Sequence, residues 1–138
     1  MDFDDLVAIR IAAMRESLER LGRFDPERAR ERLRQTFVPE HTRLILFSGE
    51  SVGFYTFRPV AEGLRLDHLY VQPEFQKRGI GSQVMKRLLA DADRQGVPVT
   101  VGALKESAAN RFYQRHGFVQ TGKGEWDIYY TRAPQRLA

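Results

Sequence analysis

Hydrophobic residues recur at helical spacing in the first third of the chain. They predict an amphipathic helix over about residues 3–21, for which Gly22 is a typical stop. Its apolar positions are Leu6, Ile9, Ala13, Leu18 and Leu21. A second helix is predicted to begin at Asp25, an N-cap residue followed by Pro26 at the first helical position, and to run to about Thr36.

The periodicity changes to that of β-strands in the middle of the chain. Strands are predicted at 44–47, 52–57 and 64–71, separated by turn-forming residues, and three consecutive strands of this kind should pair as an antiparallel meander. An apolar stripe then predicts a helix over about 80–95. The strand predicted at 97–104 must run parallel to the one before this helix, because a helical crossover returns the chain in the same direction.

The last third of the chain adds a short helix and a hairpin. Ser107 is expected to cap the helix and Gly117 to end it, and strands at 118–121 and 126–132 then pair across a turn. Together these elements predict an α/β fold with a mixed central β-sheet flanked by about four helices. The length of the chain predicts a single domain over residues 1–138.

The composition is that of an ordinary globular protein, with 42% hydrophobic and 29% charged residues. No apolar run approaches the roughly 18 residues of a membrane span, and the N-terminus is acidic where a secretory signal would be basic. We therefore expect a cytoplasmic protein without membrane association. The lack of cysteine excludes disulfides, a thiolate nucleophile and thiolate metal sites.

The net charge of +4 allows two interpretations, nucleic-acid binding or a solvated basic surface that suits a polyanionic cofactor. The second is favoured, because arginines in the second predicted helix alternate with glutamates, as on a salt-bridged exposed face. These residues are Glu27, Arg28, Arg30, Glu31, Arg32 and Arg34. The three histidines lack the spacing of a helical zinc site, so no metal ion is expected.

A strand, a basic glycine-containing loop and a helix follow one another between residues 64 and 92. Such a loop directs backbone N–H groups to the helix N-terminus, where the helix dipole also favours an anion. Gly79 and Gly81 can adopt positive φ and let a phosphate approach the backbone, while Lys77 and Arg78 add positive charge. The spacing matches neither a P-loop nor the three-glycine dinucleotide fingerprint. The segment therefore predicts a pyrophosphate-binding loop.

Residues 76–81, Gln-Lys-Arg-Gly-Ile-Gly, resemble the acyl-CoA-binding motif of the GNAT superfamily of N-acetyltransferases. That motif is Arg or Gln, two residues, Gly, one residue, and Gly or Ala. Residues 107–118 resemble a later family segment, a short helix with a Phe-Tyr pair that ends in Gly-Phe, although many members have Asn where this chain has Ser107. The resemblance covers about residues 44–132 and implies a GNAT fold. The strand with which the family usually opens is expected to be missing or truncated here.

The resemblance implies that acetyl-CoA is the acyl donor. The backbone at the end of the motif strand would bind the pantetheine arm, the loop would bind the pyrophosphate, and the later helix would face the cofactor. The implied cofactor-binding residues are Leu69, Tyr70, Val71, Gln76, Lys77, Arg78, Gly79, Ile80, Gly81, Ser82, Ser107, Asn110 and Tyr113.

Acyl transfer from a thioester to an amine needs an acid for the leaving thiolate and a base for the amine. The resemblance implies Tyr113 as the acid, since a phenol can protonate a departing thiolate. Asp67 is the first candidate base, because family members often use a side chain of this strand directly or through water. His68 has the better intrinsic pKa but points to the other face of a regular strand. Catalysis without a dedicated base is the remaining alternative.

The resemblance also locates the acceptor site. The two N-terminal helices form one wall of it in the family, which suggests Met14, Arg15 and Phe24 as substrate contacts. Trp126 and Asp127 would add an acidic, aromatic surface that suits a cationic molecule. The expected acceptor is a primary amine that attacks the thioester directly, more readily a small molecule than a protein.

Two other functions are compatible with the sequence. A non-catalytic acyl-CoA-binding regulatory module would bind the cofactor without turnover, and a nucleic-acid-binding domain would bind DNA or RNA with a steep salt dependence. The enzyme is favoured because the motif tyrosine is present, and no nucleic-acid partner is expected. A homodimer is compatible with the sequence, since two-fold dimers are the commonest oligomers, but no residue pattern specifies its interface.

Overall fold

The computed structural model describes residues 2–135, which contain four α-helices and six strands. The helices are α1 (Phe3–Arg20), α2 (Pro26–Thr36), α3 (Ile80–Gln95) and α4 (Ala109–Arg115), and the strands are β1 (Thr42–Phe47), β2 (Glu50–Val60), β3 (Gly63–Val71), β4 (Val99–Leu104), β5 (Val119–Lys123) and β6 (Asp127–Arg132). The strands form one sheet in the order β1-β2-β3-β4-β6-β5. β3 and β4 are parallel, whereas the pairs β1/β2, β4/β6 and β5/β6 are antiparallel. The predicted α/β fold with a mixed sheet is confirmed, and within residues 2–135 no strand precedes α1.

Aspartate side chains determine where the first two helices begin. Asp2 Oδ1 accepts a hydrogen bond of 2.9 Å from the N–H of Asp4. Asp25 Oδ1 accepts bonds of 3.0 Å and 3.2 Å from the N–H groups of Glu27 and Arg28. Each carboxylate satisfies donors that lack partners within the helix and lies at the positive end of the helix dipole. The prediction that Asp25 caps α2 is confirmed.

The prediction that Ser107 caps α4 is wrong. The helix begins at Ala109, and its N-cap residue, Ala108, makes no side-chain capping bond. Ser107 Oγ instead donates a 2.8 Å hydrogen bond to the carbonyl of Leu104. The chain reverses at Glu106, whose φ is +66°, and this turn directs the serine hydroxyl back towards the end of β4.

The chain divides into two compact units, whose described residues are 2–57 with 68–81, and 58–67 with 82–135. The core of the first unit combines apolar side chains of α1 and α2 with one from β2. These residues are Leu6, Val7, Ile9, Leu33 and Phe54, and Tyr70 of β3 packs against them. Of the apolar positions that predicted α1, Leu6 and Ile9 lie in this core. The single domain predicted over residues 1–138 stays a prediction.

The second unit buries the apolar stripe that predicted α3. Its buried residues include Met85, Leu88, Leu89, Ala92, Val99, Val101, Phe118 and Tyr130. β4 pairs with β6 along its whole length, from Val99 opposite Arg132 to Leu104 opposite Asp127. A buried ion pair joins α3 to the end of β6, because Arg132 donates from Nη1 and Nη2 to the two carboxylate oxygens of Asp93 at 2.9 Å and 3.1 Å. The hydrogen bonds from Arg132 and from the Gln135 N–H hold the pKa of Asp93 below its usual range.

Replacing Asp93 by alanine is expected to lower the free energy of unfolding by about 3 kcal/mol, because it leaves the Arg132 guanidinium buried without its carboxylate. The two side chains are 9% and 7% exposed. Asp91→Ala is the matched control, since Asp91 lies on the same helix and pairs with Arg94 in an exposed bridge, where a change within about 0.5 kcal/mol is expected. Urea unfolding measures both variants, and equal small losses would contradict a structural role for the buried pair.

Candidate active site

The loop between β3 and α3 has the geometry of an anion-binding turn. Gly79 has φ of +78°, and a Cβ added there would meet no atom within 4 Å, so the space beside its backbone is open. The loop leads into the first turn of α3, which contains no acidic side chain. Exposed Lys77 and Arg78 add positive charge. Backbone N–H groups, the helix dipole and two cations therefore favour a phosphate at this place.

The two motif glycines do not act in the same way. Gly79 adopts positive φ as predicted, but Gly81 lies in the first turn of α3 and is not among the residues with positive φ. The second residue in the left-handed region is Lys77, with φ of +63°. The prediction that both glycines supply positive φ is therefore wrong for Gly81. At Lys77 the same backbone requirement is met by a residue with a side chain, at a cost that glycine would avoid.

Side chains around the loop hold it against β1 and β3. Gln76 Nε2 donates a 2.8 Å hydrogen bond to the carbonyl of Val71, which joins the motif's first residue to the end of β3. The Arg78 guanidinium lies 5.4 Å from the ring centroid of Phe75 and 6.0 Å from that of Phe47. These cation–π contacts restrict an otherwise exposed arginine. These contacts hold the loop in a defined conformation.

The strand end predicted to bind pantetheine is half-buried over Leu69, Tyr70 and Val71. Gly53 of β2 lies beside it, and a Cβ there would come within 2.1 Å of the Tyr70 carbonyl oxygen. Glycine is therefore required at position 53 for this close backbone approach. No role was predicted for Gly53 from the sequence, although a glycine inside a predicted strand is a known sign of such a close backbone approach.

Asp67, the first candidate base, is held in an ion cluster. Its side chain is 7% exposed and accepts hydrogen bonds from the Nε of Arg58 and, at 3.0 Å, from the Nε of Arg65. The hydrogen bond from Arg58 to Asp67 and the negative charge of Asp67 raise the pKa of Arg58. Both oxygens of this carboxylate are therefore occupied by hydrogen bonds from guanidinium groups. The geometry favours a structural role for Asp67.

Asn110 and Ser107 lie together at the end of β4. Asn110 Nδ2 donates to the carbonyls of Leu104 at 2.8 Å and Ser107 at 3.0 Å. The Asn110 Oδ1 accepts a 2.7 Å bond from the hydroxyl of Tyr130, whose pKa is raised by burial. These contacts use the asparagine amide to fix the β4–α4 turn. The resemblance implied both residues as cofactor contacts, and the structure brings their side chains together.

Tyr113 is 6% exposed and lies among aromatic rings. Its ring centroid is 5.7 Å from that of Phe112, 5.6 Å from that of Phe118 and 6.1 Å from that of Tyr130. The N–H of Phe118 donates a 3.1 Å bond to the Tyr113 carbonyl and closes the C-terminus of α4. This packing holds the phenol ring in a defined orientation.

Ser82, the last residue of the predicted cofactor loop, is linked to a histidine. Its hydroxyl lies 3.1 Å from the Nε2 of His116, at the C-terminal end of α4. Burial lowers the pKa of His116 below its ordinary value, and the positive charges of Lys86, Arg115 and Arg132 add to this effect. His116 is therefore neutral at neutral pH.

The depressed pKa of His116 predicts a contribution to acid sensitivity. The unfolded chain binds a proton near pH 6.5, whereas the folded protein resists it, so acidification below about pH 6.5 should favour unfolding. The variant His116→Asn removes the titrating group while leaving a polar side chain beside Ser82. We expect its loss of unfolding free energy between pH 7.5 and pH 5 to be smaller than in the wild type, as measured by urea titration. An identical loss in both proteins would rule out this contribution.

The residues predicted to contact the acceptor fall into two sets. The first set is on α1 and the segment after it. The Arg15 guanidinium lies 4.5 Å from the ring centroid of Phe24, and its Nε forms a 2.6 Å ion pair with Glu19. Met14, the residue before Arg15, is half-buried. Trp126 and Asp127 are half-buried where β6 begins. The Trp126 carbonyl accepts a 2.8 Å bond from the N–H of Lys105.

A family model described as an acetyltransferase (GNAT) domain matches residues 34–120 of the chain. The chain belongs to the GNAT acetyltransferase family. This assignment makes the protein an acetyltransferase by family and confirms the resemblance seen in its two motifs.

Solved structures share the GNAT fold over nearly the whole chain. The paia N-acetyltransferase from Thermoplasma acidophilum, in complex with coenzyme A, matches with a TM-score of 0.75 and 14% identity, covering 96% of this chain and 95% of that one. An acetyltransferase from Thermus thermophilus matches with a TM-score of 0.72 and 24% identity, covering 96% of this chain and 90% of that one. The ribosomal-protein-S18-alanine N-acetyltransferase from Escherichia coli matches with a TM-score of 0.66 and 18% identity, covering 100% of this chain and 92% of that one.

Two further observations concern residues 2–135 alone. No helix in this range is long and apolar enough to span a membrane. The same residues contain no group of three or more His, Cys, Asp or Glu side chains that could hold a metal ion.

Proposed function

We propose that the protein is an N-acetyltransferase that transfers the acetyl group of acetyl-CoA to a primary amine by direct attack. One observation carries the proposal: the basic loop before α3 has an open, positive-φ glycine at the helix N-terminus, and it occurs within a GNAT family match. In addition, the structurally similar Thermoplasma protein was crystallised with coenzyme A. Acetyl-CoA supplies the thioester whose acetyl group is transferred.

The residues of the loop fit a pyrophosphate. N–H groups from Gly79 to Ser82 would donate to its oxygens, and Lys77 and Arg78 would neutralise its charge. Gln76 would act indirectly, because its amide already holds the end of β3. The half-buried backbone of residues 69–71 would hydrogen-bond the pantetheine arm as an added strand does.

Tyr113 is the proposed acid. Its hydroxyl would give a proton to the coenzyme A thiolate as the carbon–sulfur bond breaks, and the surrounding rings would keep it oriented. Ser107 and Asn110 would shape the turn that precedes it. Asp67 would act as a base only after release from its ion pairs with Arg58 and Arg65.

The proposed acceptor is a small molecule with a primary amine. Arg15 with Phe24, and Trp126 with Asp127, offer aromatic surfaces with adjacent charge that would contact such a molecule. The nucleic-acid interpretation is further weakened by the helical arginines, because Arg34 pairs with Glu31 and Arg30 with Asp4. A cytoplasmic location and a homodimer stay predictions. The exposed apolar residues of edge strand β1, Leu44, Leu46 and Phe47, are where a second copy would be sought.

An amine panel tests the proposed function. Spermidine, kanamycin, single amino acids and a short peptide with a free N-terminus are each incubated with acetyl-CoA, and release of free coenzyme A is recorded with a thiol reagent. We expect release above the no-amine rate with at least one small molecule and not with the peptide. Acetyl-CoA binding without release from any amine would favour the regulatory module instead.

A further inference from the structure

A chain of hydrogen bonds runs through the core of the first unit, and no role has yet been assigned to it. His68 and Tyr70 are two residues apart on β3, so their side chains share one face of the strand. His68 Nδ1 lies 3.0 Å from the Tyr70 hydroxyl, and His68 Nε2 lies 2.6 Å from the hydroxyl of Thr36 at the end of α2. Arg10 of α1 donates from its Nε to the Tyr70 oxygen at 3.2 Å.

The surrounding acceptors give this chain one direction. The Thr36 hydroxyl lies 3.0 Å from the carbonyl of Arg32 and can donate to it; in that arrangement it accepts from His68, and the imidazole carries its proton on Nε2. The Nδ1 of His68 is then an acceptor for the Tyr70 hydroxyl proton. Arg10 is fixed in turn by a 2.9 Å bond from its Nη1 to the Ala29 carbonyl. In this arrangement the tyrosine oxygen receives one bond from Arg10 and donates its own proton to the Nδ1 of His68.

The exposure of the side chains indicates that a proton would enter the chain at Tyr70. His68 and Arg10 are each 7% exposed, whereas Tyr70 is half-buried and Thr36 is exposed. The tyrosine oxygen, as an acceptor with two lone pairs, retains capacity for a further donor. The chain therefore leads from a half-buried phenol on β3, through a buried imidazole, to a hydroxyl of an exposed residue.

We propose that Tyr70 accepts the proton of the attacking amine and passes its own hydroxyl proton to His68. This proposal rests on the proposed acetyltransferase function. The N–H bond of the ammonium breaks as a new O–H bond forms at Tyr70, the original tyrosine O–H breaks, and an N–H forms at His68 Nδ1. After the product leaves, the Nδ1 proton returns to the Tyr70 oxygen as the phenol gives a proton to water in the emptied site, so the phenol and the Nε2–H tautomer of the histidine are both restored. Tyr70 is the catalytic residue that meets the amine, His68 holds the transferred proton, and Thr36 and Arg10 are positioning residues.

The chain of hydrogen bonds from Tyr70 through His68 to Thr36, called the relay below, supplies the proton acceptor that Asp67 does not provide. Asp67 is bound by two guanidiniums, whereas the His68 Nδ1 has an O–H donor ready to transfer a proton. The described contacts of the imidazole include Thr36 of α2, Tyr70 of β3 and the ring of Phe54 on β2, at 6.1 Å between ring centroids. The cation nearest to the relay in the described contacts is Arg10, which donates to the Tyr70 oxygen and fixes the position of the phenol.

The variant Tyr70→Phe removes the hydroxyl and keeps the ring contact with Phe54, whose centroid is 5.4 Å away. With the fastest amine of the panel, we expect kcat/KM at pH 7 to fall about 100-fold, with acetyl-CoA affinity unchanged within about twofold. The loss should shrink as the pH approaches the pKa of the amine, because a free amine needs no base. Tyr55→Phe, on neighbouring β2, is the control and should keep full activity.

Two results would overturn the relay: activity of Tyr70→Phe within about threefold of the wild type at pH 7, or an equal loss at every pH, which a purely structural role would give. The variant His68→Gln should behave like Tyr70→Phe in its pH profile. Nitrogen-15 NMR of histidine-labelled protein provides a test that needs no acceptor. It should show His68 as the Nε2–H tautomer, and the opposite tautomer would contradict the proposal. Absence of acetyl-CoA binding in the wild type would instead refute the proposed function.

Discussion

Replacing Gly79 by alanine is expected to weaken acetyl-CoA binding about tenfold or more. An L-residue at φ of +78° is strained by about 1–2 kcal/mol, and its Cβ would enter the open space beside the loop backbone. Both effects act at the place where the pyrophosphate is proposed to bind, and 1.4 kcal/mol corresponds to a tenfold change in affinity. Isothermal titration calorimetry with acetyl-CoA measures the effect.

Gly96→Ala is the matched control for this variant. Gly96 follows the C-terminus of α3, has φ of +70° and likewise has no atom within 4 Å of an added Cβ. The backbone strain is therefore the same at a position far along the helix from the loop. We expect a similar loss of stability in both variants and normal acetyl-CoA affinity in Gly96→Ala alone. Equal affinities in the two variants would show that the loop does not bind the cofactor.

The variant Tyr113→Phe is expected to lower kcat about 100-fold or more while changing acetyl-CoA affinity by less than about threefold. The phenylalanine ring keeps the packing against Phe112, Phe118 and Tyr130 and removes only the proton donor. Steady-state kinetics with the best amine, together with calorimetry, separate the two effects. Tyr55→Phe again serves as the control.

The pH dependence separates the two tyrosines. The Tyr70→Phe defect should diminish at high pH, where the amine is already free, whereas the Tyr113→Phe defect should persist, because the leaving thiolate still lacks its acid. An equal loss of kcat and acetyl-CoA affinity in Tyr113→Phe would show that this residue binds the cofactor and does not act as the acid.

The sequence alone predicted the order of the elements, because local signals determine it. Asp25 followed by Pro26 marked the start of α2, and the switch from helical to alternating periodicity marked the sheet. The parallel pairing of β3 with β4 followed from the helical crossover between them. The capping prediction for Ser107 was wrong, because a serine before a helix can hydrogen-bond either to the helix N-terminus or to a carbonyl of the preceding strand. The left-handed turn at Glu106 favours the bond to the strand carbonyl.

The candidate site was predictable only where it is local. The loop was recognisable because its chemistry lies within six consecutive residues, of which Gly79 is the essential turn. The environment of Asp67 was not, since one of its two arginine partners, Arg58, lies nine residues away along the chain. The chain from Arg10 to Tyr70 joins residues 60 positions apart and could not be read from spacing. Side chains brought together by the tertiary fold have no signature in a single sequence.

Titration of the wild-type protein with acetyl-CoA in a calorimeter shows whether the loop before α3 binds the cofactor. We expect saturable binding of one acetyl-CoA per chain, weakened at high salt because Lys77, Arg78 and the helix dipole meet the phosphates. Gly79→Ala should weaken this binding and Gly96→Ala should not. Failure to detect binding at millimolar acetyl-CoA would contradict the assignment of the loop, and with it the proposed function.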